Sequence, residues 1–188
     1  MDTNTDNKEV LEKVKNAYRK FLKRDLYLLK VNANERSITH RFVIYLEEEF
    51  PDYHVDCEYN RNGLDPKRLY LFRKTICSDD ENGTTVFPDI IIHHRGTNNN
   101  FIVIEAKKTN NNGNDDEKLK AYKKDLNYRH AFFVEFPIND DAKKINEDTI
   151  MIMDLKEYIK DIFKIFRKFN NNKQRQTDAY FSNLYILS

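Results

Sequence analysis

Glycine and proline are scarce in this chain, four of each in 188 residues, and cysteine is scarcer, with only Cys57 and Cys77. So few glycines leave no Gly-rich loop to cradle phosphates, which excludes a nucleotide-triphosphate motor of that kind. Two cysteines without metal-ligand spacing make neither a zinc site nor a disulfide framework, and they suit a reducing compartment, so a cytoplasmic location is expected. No apolar run approaches the roughly 18 residues that span a bilayer. The opening MDTNTDNKEV is polar rather than signal-like, and no membrane partner is expected. Charge of one sign is lacking too: 32 basic residues against 31 acidic give a net +1, unlike a strongly basic nucleic-acid-binding domain. Internal repeats and a Ser/His nucleophile elbow are also missing.

What is present is apolar bulk among many charges. Charged residues make up 34% of the chain, yet 13 Phe and 11 Tyr, with many Ile, Leu and Val, supply enough apolar surface to offset chain entropy. One domain over residues 1–188 is expected. The charge is uneven: the segment from Lys156 to Arg175 is basic, whereas Asp79-Asp80-Glu81, Asp115-Asp116-Glu117 and Asp140-Asp141 are acidic. Solvated loops and a solvated helix face account for such clusters without any function.

Val10, Leu11, Val14, Ala17, Tyr18, Phe21 and Leu22 recur at three- and four-residue steps, which predicts an amphipathic helix from near Lys8. A second helix is predicted over Glu35 to Glu49, with Ile38, Phe42, Tyr45 and Leu46 inward, Asn34 as its cap and Pro51 past its end. Its first turn carries Glu35, Arg36 and His40. Tyr53 to Asn60 alternates like a strand, and residues 61–84 read as a loop with one short strand. The strongest signal follows, where Val86–Ile92 and Phe101–Ala106 flank a polar turn and predict a β-hairpin. Near-continuous β-branched runs point to strands covered on both faces. A helix over Glu117 to Asn127, strands at Ala131–Phe136 and Thr149–Met153, and a long helix from Asp154 complete the reading. The class is α/β, with a mixed sheet sandwiched between helices.

Three polar residues interrupt the hairpin: Asp89 near the start of its first strand, and Glu105 and Lys107 at the end of its second. Side chains two apart on a strand share a face, so Glu105 and Lys107 project together. With Arg95 opposite Phe101, counting sets Asp89 across from Lys107 and Ile91 across from Glu105, all on one face. Two carboxylates among hydrophobic neighbours call for a bridging cation, and oxygen ligands favour Mg²⁺ or Mn²⁺. The pattern acidic-any-Lys occurs at Asp6, Asp65, Glu105, Asp116, Asp141 and Asp154, so the triplet alone says little. Only the copy at Glu105 ends a strongly apolar run paired with an earlier strand that starts Pro-Asp.

Pro88-Asp89, fifteen intervening residues and Glu105-Ala106-Lys107 resemble the active-site hairpin of the PD-(D/E)XK nuclease superfamily, the restriction-endonuclease-like fold. Asn34 to Arg41, Val55 to Arg61 with Pro66 to Leu69, and Lys118-Leu119 resemble segments of small bacterial and phage members. The resemblance covers about residues 34–136. It implies an αβββαβ core, preceded here by an N-terminal helix and followed by a helical extension over about 150–188.

That resemblance further implies that Asp89 and Glu105, with the Ala106 carbonyl, ligate Mg²⁺ or Mn²⁺, and that Lys107 positions or activates the attacking water. Glu35 is either a further metal ligand or a helix-terminal Glu favoured by the macrodipole. Arg61, Lys67, Lys118 and Lys120 are candidates for nucleic-acid contacts, against the alternative that they are only solvated; Glu58 and Asn60 are similar candidates beside the hairpin. His93 and His94, on opposite faces of one strand, do not complete a zinc site. The expected activity is metal-dependent phosphodiester hydrolysis of nucleic acid, DNA favoured, with a homodimer or a partner protein aiding binding. The alternative is a non-catalytic nucleic-acid-binding or assembly subunit that keeps the fold.

Overall fold

The computed structural model describes residues 3–62, 65–69, 84, 85, 87–109, 115–145 and 152–155. The chain divides into two units, Met1–Leu155 and Lys156–Ser188. The second, where the helical extension is expected, lies outside the described residues, as do residues 70–83 and the Asn-rich stretch 110–114.

Helix α1 (Thr3–Lys30) is longer than its apolar stripe suggests, and it buries Val10, Val14, Ala17, Tyr18, Phe21 and Leu29. It ends in a left-handed turn at Asn32, φ 50°, where Ala33 N donates to Leu28 O and Asn32 N to Leu29 O. That double closure satisfies carbonyls the last turn would otherwise leave open, and Asn tolerates the conformation better than most residues. Helix α2 (Glu35–Glu49) starts three residues after Asn32, capped as expected by Asn34, whose Oδ1 accepts from Ser37 N at 2.8 Å.

Five strands form the main sheet: β1 (His54–Cys57), β6 (Ile90–His93), β7 (Asn100–Lys108), β8 (His130–Phe136) and β9 (Ile152–Asp154), paired in that order. Between β1 and β6, the two-residue strands β2 (Arg61–Asn62) and β3 (Asp65–Pro66) pair with each other, as do β4 (Arg68–Leu69) and β5 (Thr84–Thr85). Neighbours in the main sheet are antiparallel except β7 and β8, which run parallel across the connection through α3 (Asp115–Leu126). A parallel step needs such a crossover, because a tight turn cannot return the chain to the same end of the sheet.

The sheet is a filled layer. On one face Val55, Ile90, Ile92, Ile102, Ile104, Ala106, Phe132, Val134 and Phe136 join the stripes of α1 and α2 in a continuous core. Ile91, Val103, Ala131 and Phe133 alternate with them and are buried on the face that α3 covers with Leu119, Tyr122 and Leu126. Ile90, Ile91 and Ile92 are all fully buried, which explains their unbroken apolar run. The aromatic stripes are core: Phe136 lies 5.3 Å from Tyr18, 5.4 Å from Phe21 and 5.6 Å from Phe42, ring centre to ring centre. Among the described residues no helix is long and apolar enough to cross a membrane.

Candidate active site

The hairpin register differs from the expected one by two residues. Ile90 pairs with Ile104, Ile91 with Val103 and Ile92 with Ile102, so extending the ladder one step sets Asp89 across from Glu105, not Lys107. The cause is the turn. Strand β6 stops at His93, which pairs with Asn100 across a bulge, and Gly96 at φ 73° lies in the six-residue turn beyond it. A one-residue slip would have sent the acidic groups to opposite faces; a two-residue slip preserves the face. Glu105 and Lys107, two apart on β7, share a face at the end of the buried strands, and Asp89 precedes the β6 residue that pairs with Ile104.

Asp89 is tied to the neighbouring strand by its side chain, since its Oδ2 accepts from Ala106 N at 2.8 Å. In an antiparallel ladder a residue's N–H and C=O point to the same neighbour, so the Ala106 carbonyl is on the Asp89 side. Burial holds the Asp89 carboxyl above the usual carboxylate range and the Glu35 charge adds to it, while the Ala106 N–H, Lys107 and Lys118 oppose the rise. Glu35 therefore stands near Asp89. Lys108, on the opposite face to Lys107, brings it there: its Nζ donates to Asn32 Oδ1 at 2.8 Å and to Ala33 O at 3.2 Å, pinning the end of β7 to the start of α2.

Glu105 is fully buried, and Lys118 Nζ from the first turns of α3 lies 3.1 Å from its Oε2. Tyr122, one turn further along α3, is also buried; burial first and then the Glu105 charge push its phenol far above its ordinary range. The β7–β8 register sets Glu135 beside Lys107, and burial raises the Glu135 carboxyl. An open groove lined by Asn34, Glu35, Arg36, Ser37, His40 and Glu58 reaches this end of the sheet. It joins Asp89 through the Glu58 backbone N–H, which donates to Asp89 O at 3.2 Å. Glu58 takes a left-handed φ of 49°, and its carboxylate accepts from Arg36 Nε at 3.0 Å.

The chain matches no protein-family model, no curated protein and no solved structure. The site rests on its own geometry.

The residues expected at nucleic acid fare differently. Lys118 is drawn into the acidic cluster, whereas Lys120 is half-buried and Arg61 exposed. Lys67 turns inward, and this corrects its expected phosphate contact. It is fully buried, its Nζ donates to the carbonyls of Arg61 at 2.5 Å and Tyr59 at 3.4 Å, and it stands 4.8 Å from the Tyr59 ring centre. Close by, Asp56 accepts from Arg95 Nε at 2.8 Å and pairs with buried His93 Nε2 at 2.9 Å. His93 is thus a partnered core histidine. Glu135 and Tyr122 are residues of this region to which sequence reasoning gave no site role. Glu135 was visible as the one acid in an apolar strand, and Tyr122 as the residue four after Lys118, on the same helix face.

Proposed function

We propose that this chain is a metal-dependent phosphodiesterase acting on nucleic acid, a nuclease of the PD-(D/E)XK type with DNA as its favoured substrate. The observation that carries the reading is that Asp89 Oδ2 accepts from Ala106 N at 2.8 Å, which sets this carboxylate against the strand that carries Glu105 and Lys107. The element order supports it: α2, β1, β6, β7, α3 and β8 follow the αβββαβ sequence that the resemblance implies, with the parallel step between β7 and β8.

Among the described residues no group of three or more His, Cys, Asp or Glu side chains is gathered as a metal site. The donors still suit a hard cation, because Mg²⁺ is commonly held by one or two carboxylates with water and substrate phosphate completing its shell. The raised carboxyl of Asp89 marks a place where added positive charge is favourable. Asp89, Glu105 and the Ala106 carbonyl are the residues that would hold Mg²⁺ or Mn²⁺, with Glu35 the nearest further carboxylate. Such an ion supplies positive charge against phosphate oxygens and acidifies water at the site. Lys107 Nζ orients the attacking water and adds charge next to the phosphorus oxygens. The groove from Asn34 to Glu58 leads the backbone to Asp89, with Arg61 and Lys120 as outlying phosphate contacts. With a net charge of only +1, a second copy or a partner protein strengthens binding, and two symmetric copies would cut both strands.

The test is cleavage of supercoiled plasmid, and of single-stranded DNA and RNA, with Mg²⁺ or Mn²⁺. Wild type nicks or linearises a substrate and chelator stops it; Asp89→Asn and Lys107→Ala lose activity by at least about a hundredfold while staying folded. Equal activity in all three proteins would remove the site assignment. Silence throughout, with no uptake of Mn²⁺, would leave the non-catalytic subunit as the better reading.

A further inference from the structure

Glu105 and Lys118 set a question that the phosphodiesterase reading does not answer. A fully buried carboxylate is costly without a counter-charge, and a salt bridge at 3.1 Å from the α3 lysine provides one. That ammonium lies against an oxygen of the carboxylate that a divalent cation would also use. Two cations cannot both approach one carboxylate closely without repelling each other. The two partners differ in freedom. Glu105 is locked in a central strand at 0% exposure, whereas the Lys118 side chain is 37% exposed and has a four-carbon stem that can swing its ammonium into water.

We infer that Lys118 is a resident counter-ion of Glu105 that a divalent cation must displace, so that ammonium and metal alternate at this carboxylate. The inference rests on the metal-binding reading above and deepens it: Lys118 keeps the buried acid paired when the protein is metal-free, and weakens metal uptake as a consequence. Its role is then distinct from that of Lys107, which stays beside the cation. Lys118 acts through Glu105 and is a positioning residue rather than a catalytic one.

Calorimetric titration of Mn²⁺ into the full-length protein, paired with thermal melts, tests this. Lys118→Met is expected to bind Mn²⁺ about tenfold more tightly than wild type, because a competing charge has gone. Its metal-free form melts below wild type, and saturating Mn²⁺ raises its melting temperature by more than it raises that of wild type. Lys118→Gln, which keeps a hydrogen-bond donor without the charge, should show the same tightening and guards against a Met variant that does not fold. Lys143→Met, on the exposed turn Asp141–Lys144, removes one charge elsewhere and should leave the affinity unchanged. Equal or weaker Mn²⁺ binding by both Lys118 variants would overturn the inference and leave the metal reading intact. No Mn²⁺ binding by wild type or variants would remove the metal reading itself, and this inference with it.

Discussion

Lys67 shows how far a single side chain departs from its usual behaviour once a fold surrounds it. Burial lowers its pKa to about 8, although the nearby Asp56 charge works in the opposite direction. The unfolded chain holds that proton up to about pH 10.4. Between roughly pH 8 and 10 the unfolded state thus binds more protons, and for this group stability rises with pH. Against a Lys67→Met variant, the wild-type unfolding free energy should gain about 1–3 kcal/mol across that window in urea melts. A difference that stays flat with pH would mean that the ammonium is solvated rather than buried. The comparison must be made as a slope, since the variant also strips a donor from the Tyr59 and Arg61 carbonyls.

At the scale of elements, the decisive joints are short. The α1–α2 junction is closed by Asn32 in the left-handed conformation and reopened by the Asn34 cap, and both residues lie beside the Lys108 anchor that holds the end of β7. Asn34→Ala should cost about 1 kcal/mol in thermal or chemical melts. It should also loosen Glu35, so it is expected to lower the proposed phosphodiesterase activity more than the stability loss alone explains. The hairpin turn is the second joint. With its one-residue bulge between Ile92 and His93 it sets Ile90 across from Ile104, two residues away from the pairing that counting predicts.

Over the whole described unit, Phe136 is where the layers meet. It sits in β8 with the rings of Tyr18 and Phe21 from α1 and Phe42 from α2 around it. Phe136→Ala should cost about 3–5 kcal/mol, more than a typical surface change, because three rings on two helices lose a shared packing partner and cannot all collapse into the gap. Equilibrium unfolding measures it; a loss under about 1 kcal/mol would mean that α1 and α2 do not depend on the sheet in this way. The α3 face is different in kind, because its buried apolar residues Ile91, Val103, Leu119 and Leu126 share space with Glu105. Charges placed in such surroundings oppose stability, which is the usual mark of a site kept for function.

Much of this architecture was legible in local pattern. The bounds of α2 and its Asn34 cap follow from helical spacing and capping chemistry, and the buried strands follow from β-branched runs, because each depends on neighbours a few residues away. That Glu105 and Lys107 share a face was legible too, since strand alternation has a period of two whatever the register. Only the tertiary structure decided what those residues meet. That Lys118 turns onto Glu105, that Glu35 approaches Asp89, that Glu135 stands beside Lys107 and that Lys67 is buried all depend on contacts between segments far apart in the chain. Periodicity assigns a side chain to a face; the packing of elements against that face selects its partner, and the partner sets its charge and its chemistry.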